Sequence, residues 1–338
     1  MKVILVRQLL KTLTLPRLIN AALATGSFIY SAILKNNKRR GQPFILTIEP
    51  TNLCNLKCPL CVTGNGKMTR PAGSMSFAAF KKIIDETQKQ LIYLLLYQQG
   101  EPFLNKNFLR FVEYAKSKKI YVTTSSNGHY FNKETAWATV QSKLDSIIFS
   151  VDGADQRSYE AYRVGGSLRK VQQGLLNLAE AKRRLKSATP VIFMQFIVMR
   201  HNEHQIAAMK KIARKWGANR LLIKTVHVEN AAEAEKWLPQ NSKMHRYVLD
   251  AATLKPRRSA AGACPRPWTS ALINWDGTVV PCCFDKNGQH VLGEIQNHTQ
   301  FTDTWNSEKY ANFRQKMLVD RSQLDICRNC SQGIRLYI

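Results

Sequence analysis

Three cysteines within eight residues, Cys54-Asn55-Leu56-Lys57-Cys58-Pro59-Leu60-Cys61, constrain this chain more than any other feature. A loop that short cannot spread its thiols over a fold, so it brings three sulfurs to one point. Thiolates are soft ligands, suited to iron–sulfur clusters, zinc or copper(I). A four-iron cluster held by three thiolates keeps one iron open to the donor atoms of a small molecule, which a closed four-cysteine structural site cannot do. A structural zinc knuckle would need a fourth ligand close by, and the next Cys or His after Cys61 is His129.

The segment before the cysteines, Phe44-Ile45-Leu46-Thr47-Ile48-Glu49-Pro50, alternates and is β-rich, so it reads as a strand. From there to about residue 228 the pattern alternates strand and helix. Strands are predicted at 44–49, 91–97, 120–125, 146–151, 191–198 and 220–227, with helices near 76–90, 107–118, 133–143, 168–186 and 203–216. The strands are dense in Ile, Leu, Val, Phe and Tyr, as expected when helices cover both faces of a parallel sheet. Ser76 is placed to cap one helix, and Gly217 to end another. Six such units with right-handed crossovers make an α/β fold, a parallel sheet curved into a partial (β/α)6 barrel. The cysteines then leave the C-terminal end of the first strand, where parallel α/β folds place their chemistry.

A CxxxCxxC loop after a first strand resembles the signature of the radical S-adenosylmethionine (SAM) enzymes. The resemblance implies that Cys54, Cys58 and Cys61 hold a [4Fe–4S] cluster whose open iron chelates SAM, and that one electron cleaves SAM to a 5′-deoxyadenosyl radical. It also implies SAM contacts at later strand ends. Gln98-Gln99-Gly100-Glu101-Pro102 stands where the family has Gly-Gly-Glu, with Gln99 in place of the first Gly and Glu101 keeping the charge that meets the SAM ammonium. Ser125-Ser126-Asn127-Gly128 is similar to the family's Thr-Asn-Gly turn, which meets the ribose. Ser150, in Ser150-Val151-Asp152-Gly153, and Arg163, at the place of an arginine that pairs with the SAM carboxylate, complete the set. Gln195, on the strand 191–198, faces SAM or substrate if it points inward. Tyr97, Lys224 and His227 are further strand-end candidates.

Two other patterns are set aside. Gly64-Asn65-Gly66-Lys67 lacks the spacing and the Ser/Thr of a phosphate loop. His201 and His204 lie three apart with only Glu203 beside them, and are expected to be exposed residues at a helix start.

The other five cysteines, 264, 282, 283, 327 and 330, follow a stretch of 202 residues without any. Asp276-Gly277 between two apolar runs predicts a hairpin that delivers Cys282-Cys283. A helix near 301–318 and Cys327-Arg328-Asn329-Cys330 follow. By ligand count, Cys264, Cys282, Cys327 and Cys330 would hold zinc as readily as a cluster. The order hairpin, helix, CxxC resembles the auxiliary-cluster (SPASM, or shortened "twitch") extension of radical SAM enzymes, which implies a second [4Fe–4S] cluster. Cys283 is left as a buried structural thiol.

The expected organisation is therefore an N-terminal helical segment at 1–40, a core at 41–230, a connector at 231–263 that is poor in strand pattern, and an auxiliary-cluster domain at 264–338. Clustered thiols with ligand spacing imply a reducing compartment, hence the cytoplasm. Leu18 to Leu34 is free of charge, while Arg7, Lys11 and Arg17 break up any signal-peptide core. Residues 1–40 read as one or two amphipathic helices that lie peripherally on the inner membrane surface or pack on the protein or a partner. The net charge of +27 fits an anionic membrane surface, an acidic substrate or nucleic acid. No RNA-binding domain is appended, so nucleic acid ranks last. The resulting expectation is a radical SAM enzyme acting on a peptide, a small metabolite or a lipid, fed electrons by a flavodoxin or ferredoxin. A non-catalytic iron–sulfur carrier or scaffold is the rival.

Overall fold

The computed structural model describes residues 2–250, 253–257, 263–295, 299–328 and 330. In chain order the first half runs α1 (Lys2–Leu10), α2 (Leu15–Leu34), β1 (Ile45–Ile48), α3 (Phe77–Thr87), β2 (Tyr93–Leu95), α4 (Phe108–Ser117), β3 (Tyr121–Ser126), α5 (Lys133–Gln141), β4 (Ser146–Ser150), α6 (Gln156–Tyr162) and α7 (Leu168–Arg184). It continues with β5 (Val191–Val198), α8 (Ile206–Lys215), β6 (Arg220–Thr225), α9 (Ala231–Trp237), β7 (Tyr247–Asp250) and β8 (Thr253–Pro256). The C-terminal part holds α10 (Arg266–Thr269), β9 (Ser270–Ile273), β10 (Thr278–Val280), β11 (Gly293–Glu294), α11 (Phe301–Asn306), α12 (Glu308–Val319) and α13 (Asp325–Arg328). All six strands expected between 44 and 228 form, each within three residues of its predicted ends.

The chain divides into two compact units. One takes residues 2–53, 69–122 and those from 260 on. Its strands lie in the order β11-β10-β9-β1-β2. β1 is parallel to both neighbours, with Ile45 opposite Tyr93 on one side and Ser270 on the other. β10 turns back antiparallel on β9 through the Asp276-Gly277 turn. Ser76 accepts from the Ala79 N–H and starts α3. The stacked rings of Phe80 and Phe111, 4.4 Å apart, join α3 to α4. Arg17, on α2, is 4 % exposed. It donates five hydrogen bonds, to the carbonyls of Thr12, Gln88, Lys118 and Lys119. These lie just past the C-terminal ends of α1, α3 and α4, where helix carbonyls lack partners and a cation is favoured.

The other unit takes residues 54–68 and 123–259. β3, β4, β5 and β6 are parallel neighbours in that order. Every residue of β4 is buried, as expected of an interior strand of a parallel sheet covered on both faces, and α5 and α7 pack against each other. Gly217, at φ +81°, ends α8 as expected.

Three expectations are corrected. The stretch 231–263 is not poor in strand: β7 and β8 pair antiparallel, Tyr247 opposite Pro256. Each strand is only four residues long, and Lys255-Pro256 reads as a basic loop unless the partner is known. The single helix near 301–318 is two, because Ser307 adopts an extended conformation and caps α12 by accepting from the Tyr310 N–H. His201 is not exposed. Its Nε2 lies 3.2 Å from the Ser158 carbonyl, and its ring meets the edge of Trp237.

Candidate active site and auxiliary metal centre

The strand that feeds the cysteine loop is pinned at its C-terminal end. Glu49, fully buried, accepts from Nη1 and Nη2 of Arg70 at 2.9 and 2.8 Å. Such a fork-to-fork pair fixes direction as well as charge. The loop itself is seated by Leu56, which packs with Cys58 into a core formed by Tyr162, Met199, Trp237 and Tyr247. The Leu56 N–H points at the Cys54 sulfur, 3.5 Å away. Gly64 passes so close over the loop that a Cβ there would lie 2.4 Å from the Cys58 nitrogen. Asn65 donates to the Pro59 carbonyl at 3.0 Å. The glycine segment set aside as a phosphate loop therefore closes the cysteine loop.

Two predicted residues meet this loop. Asn127, buried at the end of β3, donates from Nδ2 to Asn55 Oδ1 at 2.8 Å. It thus ties the strand-end turn to the residue following Cys54. Arg163 lies 3.8 Å from the Cys58 sulfur through Nη1. Its Nε and Nη2 are both held by Asp152 Oδ2, and Asp152 Oδ1 accepts from the Ile197 N–H at 2.7 Å. Burial raises the pKa of Cys58, and the charge of Arg163 opposes the rise. Ser150 and Gln195 are register partners on β4 and β5 and so share one face of the sheet. Ser150 is buried and Gln195 half-buried. Of the further candidates, His227 pairs through Nδ1 with the Tyr247 hydroxyl.

Gln99, Gly100 and Glu101 lie past the end of β2, in the other unit. Gly100 has φ +72°, and a Cβ there would come within 2.5 Å of the Thr51 carbonyl oxygen. The turn can press against the strand exit only as glycine. The Glu101 N–H donates to the Leu53 carbonyl at 2.7 Å. Its carboxylate, 1 % exposed as a residue, accepts from the Phe103 N–H. Gln99 is buried.

Pairs of the C-terminal cysteines are electrostatic neighbours, Cys264 with Cys330, Cys282 with Cys327, and Cys327 with both Cys264 and Cys330. Cys264 precedes α10, Cys282 follows β10, Cys327 sits in α13 and Cys330 is buried just beyond it. Burial raises the pKa of Cys264, Cys282 and Cys327, the last to about 11, and neighbouring thiols of the same set add to the rise. Arg266 and Arg321 stand beside the group and favour its thiolates. The Phe284 N–H approaches the Cys282 sulfur at 3.4 Å. Cys283 is half-exposed, not buried as expected.

Two family models match the chain. One, the radical SAM superfamily, covers residues 48–211. The other, the SPASM iron–sulfur cluster-binding domain, covers residues 264–331. The chain belongs to the radical SAM superfamily. It is 25 % identical over 307 residues to mycofactocin maturase MftC of Mycobacterium ulcerans, covering 85 % of this chain and 80 % of that protein. It is 24 % identical over 267 residues to the PqqA peptide cyclase of Granulibacter bethesdensis, covering 71 % and 67 %. Among solved structures it resembles SuiB of Streptococcus suis bound to precursor peptide SuiA. The TM-score is 0.60 and the identity 14 %, with 86 % of this chain and 72 % of that one covered. That likeness shows a shared fold, the partial barrel of radical SAM enzymes with a C-terminal extension.

As a radical SAM enzyme with a SPASM domain, the protein uses [4Fe–4S] clusters and SAM as cofactors. The donor types fit them, although among the described residues no three metal-ligating side chains stand close enough together to hold a metal ion. Each cysteine group is thiol-only, with Cys58, Cys264 and Cys330 buried and Cys54, Cys61, Cys282 and Cys327 half-buried, and each has a backbone N–H near a sulfur and an arginine nearby. Hydrogen bonds to the sulfurs, local charge and solvent exposure are the levers by which a protein tunes such clusters. Thiols raised by burial must lose their protons when iron binds, so loading is coupled to pH. Sequence reading missed Asp152, Asn55, Glu49 and Arg70. Asp152 and Glu49 carried a signal, since each is an acid at the C-terminal end of a strand in the apolar pattern.

Proposed function

We propose that this radical SAM enzyme cleaves SAM reductively at a cluster held by Cys54, Cys58 and Cys61 and acts on a peptide. When bound, SAM and the open-iron cluster supply a 5′-deoxyadenosyl radical that takes a hydrogen atom from the substrate, and an auxiliary cluster takes up or relays the electron left behind. The observation that carries the reading is the loop Cys54–Cys61, with Arg163 aimed at Cys58 and Asn127 bonded to Asn55.

In this reading Asp152 fixes the guanidinium so that Nη1 faces the cysteine loop, where it meets a thiolate or the SAM carboxylate. Glu101, held by its backbone to Leu53, offers its charge to the SAM ammonium beside Gln99 and Gly100. Asn127 and Ser150 face the ribose, and Gln195 faces SAM or substrate. Cys264, Cys282, Cys327 and Cys330 hold the auxiliary cluster, with Arg266 and Arg321 supplying positive charge. A flavodoxin or ferredoxin serves as electron donor, in the cytoplasm. The peptide class is supported by the relatives, one of them a peptide cyclase and one solved with a precursor peptide.

Anaerobic turnover with dithionite, SAM and peptides extracted from deuterium-grown cells of the source organism tests both parts. The reading expects 5′-deoxyadenosine that carries deuterium, and none from Cys58→Ala. Unlabelled 5′-deoxyadenosine would remove the peptide and keep the radical chemistry. No 5′-deoxyadenosine at all would favour a non-catalytic cluster carrier.

A further inference from the structure

Helix α2 is inside out. Its inward positions are Arg17, Asn20, Ala24, Ser27 and Ser31. Its outward positions include Leu15, Leu18, Ile19, Leu23, Ile29 and Ile33, with Leu15 70 % and Ile33 72 % exposed. An ordinary surface helix has the opposite polarity. The inversion is built into the fold. Arg17 is bound to the carbonyls past three helix ends, as described above. Asn20 exchanges two hydrogen bonds with the Gln42 backbone, at 3.0 and 2.8 Å. Ser27 donates to the Arg40 carbonyl and Ser31 to the Lys38 carbonyl. The segment 38–42 is thereby laid back along α2. Helix α1 adds Val3, Val6 and Leu10, all exposed.

The charge around this face has one sign. Residues 1–48 contain eight Lys and Arg and not one Asp or Glu. Arg7 and Lys11 are exposed at one end, and Lys35, Lys38 and Arg40 at the other. Leu23, Gly26, Tyr30, Lys38 and Arg40 line a cavity of about 360 Å³ on α2, in which the Lys38 ammonium lies 5.4 Å from the Tyr30 ring centre. An apolar floor with cations at its rim matches lipid tails below anionic headgroups.

We propose that the outward face of α1 and α2 docks on an anionic lipid bilayer, with the helices lying in the interface plane and Lys35, Lys38 and Arg40 at headgroup level. A second copy of the chain is a poor occupant, because an isologous contact would press two acid-free basic surfaces together. Spanning the bilayer is also disfavoured. α2 is long and apolar enough by composition, but crossing would strip Arg17 and Asn20 of their partners and place them in hydrocarbon. This docking does not depend on which substrate the active site takes.

Flotation of the full-length, cluster-loaded protein tests the proposal. Vesicles of phosphatidylcholine with an equal share of phosphatidylglycerol are compared with phosphatidylcholine alone. Wild type is expected to float with the anionic vesicles, at least about tenfold more than with neutral ones. Ile29→Asp/Ile33→Asp is expected to lose flotation while keeping its thermal midpoint and iron content, since both side chains are exposed. Lys38→Glu/Arg40→Glu is expected to lose the preference for anionic lipid. Failure of wild type to float at low salt would overturn the proposal, as would undiminished flotation of the Ile29→Asp/Ile33→Asp variant. A dimer in vesicle-free buffer that the same variant converts to monomer would instead assign the face to a second copy.

Discussion

Asp152 holds Arg163 through one carboxylate oxygen, Oδ2, which accepts from Nε at 2.7 Å and from Nη2 at 2.6 Å. Asp152 is fully buried. Burial by itself would lower the pKa of Arg163; Asp152 and then Cys58 raise it well above its ordinary value. The guanidinium therefore stays charged beside the cysteine loop. Asp152→Asn keeps the shape and removes the charge, which leaves a cation buried without its counter-ion. The expected loss is about 3 kcal/mol of stability, the scale for breaking a buried pair from one side. Anaerobic urea unfolding checks this, and a midpoint unchanged from wild type would show that the pair contributes nothing.

Arg17 anchors the N-terminal helices through backbone carbonyls alone. Arg17→Met keeps much of the apolar stem and orphans carbonyls beyond three helix ends. A loss of roughly 3 kcal/mol or more is expected, because bonds from a charged donor are worth about 1.5–3 kcal/mol each and are not additive. Limited proteolysis should then cut the chain between residues 10 and 44 before any other site, whereas wild type resists there.

These two residues mark what the sequence could and could not reveal. The cysteine spacings and the runs of apolar residues are local patterns, so the family, the six strands and the hairpin at Asp276-Gly277 were legible. Three of the four carbonyls that Arg17 meets lie 71, 101 and 102 residues away along the chain, and none of its partners is a side chain. In the sequence Arg17 is only a charge that interrupts an apolar run. Likewise Asn127 and Asn55 meet across 72 residues, and Glu49 and Arg70 across 21. Pairings of that kind leave no periodicity to read.

His129 reports on the turn after β3. Its Nε2 accepts from the Ser167 N–H at 2.8 Å, and its Nδ1 lies 3.0 Å from Asn127 Oδ1. Accepting at Nε2 requires the neutral ring, and burial holds its pKa below the usual value of 6.5. Between 6.5 and that lowered pKa the unfolded chain binds more protons than the folded one, so stability rises with pH across this window. The contribution is complete above pH 6.5 and is lost as pH falls through the folded pKa. Unfolding midpoints measured from pH 7.5 down to about 5 should fall in wild type and flatten in His129→Gln. Parallel slopes for the two proteins would refute the assignment.

Glu101 separates binding from folding. Gln in its place retains an acceptor for the Phe103 N–H but not the charge on which the proposed SAM contact rests. SAM binding to cluster-loaded Glu101→Gln should weaken about tenfold or more, the cost of one charge-assisted contact, with the thermal midpoint of the SAM-free protein unchanged. Calorimetric titration gives the first quantity and a thermal scan the second. Equal SAM affinity would remove Glu101 from the site.

The most direct test of the whole account is an anaerobic count of iron and sulfide on wild type and on Cys54→Ala/Cys58→Ala/Cys61→Ala. Two four-iron clusters predict about eight irons per chain, falling to about four in the triple variant. A colourless wild-type protein that holds zinc and no sulfide would contradict it.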